Sequence, residues 1–181
     1  PIPSDEIVEI SASSNLSTKP AYKAMDGRTG TSWVSQWRKG VGSSLTMQFD
    51  QARFITMVAI LPGNAGSNAK WKKHCVPQTI ELKWDKGGSQ TFSIRKRRVN
   101  QYLMLKKPAR TKKLKITVTD IYNCPTLDAA ITEIMPYEPR NILKRHPELQ
   151  GRLKADLAEM ANPAKRKDAM ARLVHAGRPA V

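Results

Sequence analysis

Cysteine is scarce. With two residues in 181, Cys75 and Cys124, the chain cannot be a disulfide-dense scaffold, and their spacing matches no zinc-ligand pattern. One bridge or two free thiols remain open. Histidine is equally thin: His74, His146 and His175 stand far apart, with no pair at the helical i, i+4 spacing that a metalloenzyme uses. A glycine-rich phosphate loop and a nucleophile elbow are also missing, which makes an enzyme the less favoured class. No run nears the roughly 18 apolar residues of a membrane-spanning helix, and no stretch reads as a secretory leader. The chain starts at Pro1 rather than Met, so the expectation is a processed product or an excised fragment, and the missing leader leaves export open. Acidic residues are few, 15 against 31 Lys and Arg, for a formal charge of +16. Such an excess biases encounter toward polyanions: nucleic acid, anionic lipid or acidic glycans.

What the chain does have is 40% hydrophobic residues, enough for a core. From Ile7 to about Tyr137 short apolar-alternating runs are broken by turn residues, the pattern of an all-β sandwich or barrel. Leu114, Ile116 and Val118 alternate with Lys113, Lys115, Thr117 and Thr119, predicting a strand over 112–121 with a basic outer face. Leu45, Met47 and Phe49 predict another, as do Ile80, Leu82 and Trp84, and Phe92 with Ile94. Asp85-Lys86-Gly87-Gly88 predicts a hairpin turn, since Gly accepts the positive φ required. Phe54 to Leu61 is apolar almost throughout and predicts a central strand covered on both faces. After Tyr137 the period changes. Leu149, Leu153, Leu157 and Met160 follow Pro147 at helical spacing, and Asn162-Pro163 opens a second helix carrying Met170, Leu173 and Val174 up to Gly177. The expected division is a binding domain over 1–138 and a basic helical extension over 139–181.

Ala24-Met25-Asp26-Gly27-Arg28-Thr29-Gly30-Thr31-Ser32-Trp33 resembles the A-x-D-G-x-x-x-T-x-W signature of discoidin-like, or galactose-binding-like, domains. The later segments 60–64, Trp71, 76–82, 114–122 and the D-x-A-I-x-E-I ending over 128–134 are similar, in the same order, to the NADase-type glycan-binding subgroup. That resemblance covers about residues 5–138 and implies an eight-stranded discoidin-like jelly-roll sandwich with loops gathered at one end. It implies no NADase activity. It also implies a calcium site in which Asp26 and Glu133 supply charge, Thr31 a hydroxyl, and the backbone near Ala24 and Arg28 carbonyl oxygens, donors that Ca²⁺ prefers. The competing reading is that Asp26 caps its own loop and Glu133 pairs with a cation. Finally, the resemblance places the Cys75 and Cys124 segments at one end of the sandwich, implying a disulfide and an oxidising compartment.

Of the four tryptophans, Trp33 reads as an anchor beneath the loop and Trp84 as core. Trp37 and Trp71 lie in polar, basic segments, where an exposed indole can stack on a sugar ring while Arg38, Lys72, Lys73 or His74 holds an anion. Asn64 and Tyr122 complete the candidate ligand residues. Arg95, Lys96, Arg97 and Arg98 form the densest basic run, extended by Lys106, Lys107, Arg110, Lys112 and Lys113, and read as a polyanion patch. The function expected is a non-enzymatic carbohydrate-binding module of an exported bacterial protein, acting outside the cell, on its surface or in the periplasm. Its ligand would be an anionic envelope glycan. Protein docking on the same fold, with the helices as a partner site, is the alternative, as is a targeting role in a larger secreted enzyme or toxin. Nucleic acid is less favoured because no recognised motif accompanies the patch.

Overall fold

The structure, a computed structural model, describes residues 1–85 and 87–139, which belong to a compact unit spanning Pro1–Pro139. The helices expected beyond it lie outside the described residues. Seven strands are present among the described residues: β1 (Ile7–Ala12), β2 (Trp33–Val34), β3 (Ser44–Pro62), β4 (Pro77–Trp84), β5 (Gly88–Ser93), β6 (Gln101–Ile121) and β7 (Ala130–Tyr137). Among the described residues there is one short α-helix, α1 (Asn68–Lys73), capped by the Ser67 hydroxyl, which accepts from the Lys70 N–H at 3.2 Å. All strand pairs are antiparallel, in the order β2-β7-β3-β6-β4-β5, with β1 also on β3.

The all-β class is as expected, but the strand boundaries are not. The runs 45–49 and 54–61, read as separate strands, are two halves of β3, and the strand read over 112–121 is the second half of β6. The first half of β3 lies between β1 and the 113–117 part of β6, whereas its second half lies between β7 and the 101–111 part. Both long strands therefore pass from one layer of the sandwich to the other. At the corner, four residues of β3 (Phe49 to Ala52) oppose Lys112 alone, and the buried positions of β6 switch from odd (103, 105, 109, 111) to even (114, 116, 118). A bulge of this kind bends a strand without ending it, so the polar stretch at Asp50-Gln51 mimics a turn in the sequence.

Between the layers lie Leu45, Met47, Phe49, Ile80, Leu82, Leu114, Ile116 and Val118 from one side and Ile55, Val58, Leu103, Ile131 and Ile134 from the other. β3 is central, but Phe54 is exposed and Thr56 and Met57 are half-buried, so it is not covered on both faces throughout. The β4–β5 hairpin forms where expected, with Trp84 opposite Gly88 and Gly87 at φ 80°. Asp85 pins the hairpin to the β6 corner, accepting from the Thr111 hydroxyl at 2.5 Å and the Lys112 N–H at 2.9 Å.

Candidate functional site

The loops that join the strands at one end carry two clusters of chemistry. In the first, the loop before β2 turns back on Asp26. Its carboxylate accepts from the Arg28 N–H at 3.0 Å and from the Thr31 hydroxyl, 2.8 Å from either oxygen. Gly27, at φ 71°, allows that turn. Glu133, more than a hundred residues later on β7, reaches the same place. Burial first, then the charge of Asp26, pushes the Glu133 carboxyl up to about 7, while the N–H groups of Arg28 and Gly27 pull the other way. The resemblance thus paired two acids that the tertiary structure brings together. Arg28 contributes backbone only, and its carbonyl already accepts from Thr31 Oγ1 at 2.9 Å.

Several buried polar atoms around this cluster have no hydrogen-bond partner among the described residues: Glu133 Oε1, Ser32 Oγ, and both amide atoms of Asn64. Asn64, predicted as a ligand residue, is buried in the loop after β3. That loop is fixed by Thr132, whose hydroxyl donates to Gly63 O at 2.7 Å and accepts from Ala65 N–H at 2.8 Å. It abuts the Asp26 loop, because a Cβ at Gly66 would lie 2.8 Å from Gly30 O.

The second cluster surrounds the Cys75–Cys124 disulfide, which forms as expected with its Cα atoms 5.3 Å apart. Asp128 braces it from beneath, accepting from the Cys75 N–H at 3.0 Å and from His74 Nδ1–H at 2.7 Å. His74 is buried in that pairing. The two sulfurs and the Asp128 carboxylate lie close enough for a metal, but the disulfide has already consumed the thiolates. Next to the bridge, Thr126 Oγ1 donates to Lys73 O at 3.0 Å, and the Thr126 carbonyl accepts from Arg38 N–H at 3.1 Å. Gly40 N–H donates to Leu127 O at 3.0 Å, with no room for a side chain against the Asp128 carbonyl. Gln36 N–H is held by Ser14 Oγ at 3.0 Å. Trp37 therefore rides on a tip fastened on both sides, and the residue is 63% exposed. Arg38 beside it takes φ 58°, an uncommon conformation for a residue with a side chain.

Trp71 lies elsewhere. It is half-buried on α1, its ring covering Gly63, where a Cβ would collide with it. Lys72 and Lys73 are exposed on the same helix. Tyr122 donates its hydroxyl to Ile94 O at 2.9 Å, and Lys96 Nζ stands over its ring, 5.7 Å from the centre. Arg95, Arg97 and Arg98 are exposed in the same loop, and Arg98 donates to Asn68 Oδ1 on α1 at 2.6 Å. The predicted basic run is thus divided: 95–98 stands at the loop end, whereas Lys106 and Lys107 lie farther along β6. Sequence reasoning missed Asp128 and Thr126, which organise the disulfide and the Trp37 tip. Asp128 stood inside the D-x-A-I-x-E-I ending, where its charge was the available signal.

No curated protein sequence matches the chain. Among solved structures, the family 32 CBM from Clostridium perfringens NanJ, in complex with galactose, superposes with a TM-score of 0.62 at 23% identity, over 76% of this chain and 97% of that one. The CBM32-1 and CBM32-2 domains of C. perfringens ZmpB, in complex with GalNAc, give 0.63 at 14% identity over 76% of this chain, which spans only 34% of that one. The CBM32 of AlyQ, in complex with 4,5-unsaturated mannuronic acid, gives 0.54 at 18%, over 72% and 95%. At these identities the likeness is one of fold. The profile of the NAD glycohydrolase translocation F5/8 type C domain matches residues 3–137, about three-quarters of the sequence, and the chain belongs to that family.

Proposed function

We propose that this chain is a non-catalytic glycan-binding module whose loop end, around Trp37, takes up a sugar. The observation that carries the reading is the Trp37 tip. An indole this exposed loses apolar contact with water only when something covers it, and the backbone that carries it is fixed in advance through the N–H groups of Gln36, Arg38 and Gly40. Pre-organisation of that kind lowers the ordering cost of binding. Arg38, Lys72, Lys73 and the 95–98 run place positive charge around the same end, which suits a glycan bearing carboxylate or sulfate. The fold supports the reading, since its relatives include modules solved with galactose and with an unsaturated mannuronic acid. An exported protein fits a module stapled by a disulfide.

Calcium belongs to the same proposal. Asp26, Glu133 and Thr31 offer hard oxygen donors, and Glu133 Oε1 is buried with no hydrogen-bond partner among the described residues. A cation there would supply the countercharge that a proton supplies on Glu133 in its absence, and would fix the Asp26 loop to β7. Docking on a protein is the second reading, favoured by the exposed Val41 and Leu127 on the segments that frame Trp37.

Galactose and oligogalacturonate titrations separate the two. Trp37→Ala is expected to weaken sugar binding by roughly 1 to 3 kcal/mol at low and high salt alike, because stacking is not screened. Undiminished binding in that variant would reject the loop-end site, and a protein complex insensitive to both sugars would favour docking.

A further inference from the structure

Away from the loop end, an open groove of about 540 Å³ runs along the side of the sandwich, lined by Trp84, Ser89, Gln90, Thr91, Lys106 and Lys107. It lies between two strand edges that have no further partner among the described residues: there β5 pairs with β4 alone, and the 101–111 half of β6 with β3 alone. Its construction is specific. Between Met104 and Ala109, four residues of β6 (Leu105 to Pro108) oppose the single residue Thr56 of β3. This wide bulge breaks the two-residue alternation, and consecutive side chains, Lys106 and Lys107, both line the groove. The bulge is tied across the gap by one side chain, since Gln90 Oε1 accepts from Lys106 N–H at 2.9 Å and Gln90 Nε2 reaches Met104 O at 3.4 Å. At the far end Trp84 lies against Gly88, where any Cβ would strike the indole.

Both lysines are exposed, and neither is in an ion pair among the described residues. The nearest acid along the hairpin, Asp85, is engaged by Thr111 and Lys112. Glu81, on the neighbouring strand, stands opposite Thr91. Two consecutive lysines that line the same groove concentrate positive charge there, which an anion lying in the groove would offset. Hydroxyls from Ser89 and Thr91 and a partly covered indole add the hydrogen-bonding and apolar surfaces that sugar rings use.

We propose that this groove is a second binding site, for a linear acidic polysaccharide bearing sulfate or carboxylate, distinct from the Trp37 end. One indole with hydroxyls and two lysines suits a sugar chain better than nucleic acid, for which a row of stacking aromatics or a motif would be expected. The groove is open along its length, so a polymer can lie in it without threading.

The test uses the full chain, a heparin octasaccharide as probe and the double variant Lys106→Gln/Lys107→Gln. Both substitutions are at exposed positions and should leave the unfolding temperature unchanged. Heparin affinity is expected to fall tenfold or more while galactose binding at the loop end is unaltered. In the unsubstituted chain the octasaccharide should shift the NMR signals of the Trp84 indole N–H and the Gln90 side-chain amide. Parent-like heparin affinity in the double variant overturns the proposal. So does loss of heparin binding only on neutralising Arg95, Lys96, Arg97 and Arg98, or a duplex DNA that binds as tightly and depends equally on Lys106 and Lys107.

Discussion

Glu133 shows how one side chain can report on its surroundings. Its ordinary pKa of 4.5 is raised to about 7 in the folded chain by burial and by Asp26. The folded form therefore holds a proton that the unfolded form has released across that interval. In chelator, the contribution of Glu133 to stability should be fully present below about pH 4.5 and be lost as the pH rises through about 7. Glu133→Gln should flatten that dependence. If calcium binds, its stabilisation should grow over the same interval as it replaces the proton, and proton release on addition of Ca²⁺ near pH 6 would register it. Thermal unfolding at pH 5 and 7.5, in chelator and in Ca²⁺, checks both statements. A difference between the parent and Glu133→Gln that does not change with pH in chelator would contradict the buried-acid reading.

At the scale of elements, bulges and one covalent bridge decide where the chemistry stands. The β6 bulge turns two adjacent lysines to one groove, and the corner bulge lets β3 and β6 serve both layers. The disulfide joins the start of β4 to the segment after β6, closing 49 residues of chain, and Thr126 passes that anchorage on to the Trp37 tip. Cys75→Ser/Cys124→Ser should cost roughly 4 kcal/mol by the chain-entropy account. The same variant should weaken sugar binding at Trp37, because the 123–127 segment loses its staple. Urea unfolding with a parallel galactose titration measures the two effects. Unchanged affinity in a destabilised variant would show that Thr126 holds the tip without the bridge.

Across the whole described unit, a single ion network connects distant parts of the chain. Arg53, buried at the β3 corner, reaches Glu6 at 2.9 Å, Asp50 at 2.6 Å and Glu138 at 3.7 Å. Burial alone would lower its pKa, yet these carboxylates outweigh that and raise it. Glu138 also accepts from Phe54 N–H at 3.3 Å. The first turn, the corner and the end of β7 thus share one cation. Arg53→Met should destabilise by about 3 to 5 kcal/mol, since it leaves Glu138 buried without its countercharge, whereas Asp50→Ala at the exposed edge should cost far less. Equal losses in urea unfolding would argue against a buried network.

Composition and periodicity alone determined the all-β class, the 84–88 hairpin and the basic character, because alternation and turn chemistry are local properties that a strand carries wherever it packs. The D-G-to-W resemblance added Asp26, Thr31 and Glu133 as a group. The tertiary structure decided the rest. Whether 45–49 and 54–61 were two strands or one depended on a bulge opposite Lys112, a pairing 60 residues distant that no local pattern records. His74 looked like a ligand beside lysines and is instead a buried partner of Asp128, for its burial depends on the 122–130 segment crossing over it. Trp37 and Trp71 sit in equally polar runs, yet one is exposed and the other lies on Gly63, because exposure is a property of what packs above a residue and not of its neighbours in sequence.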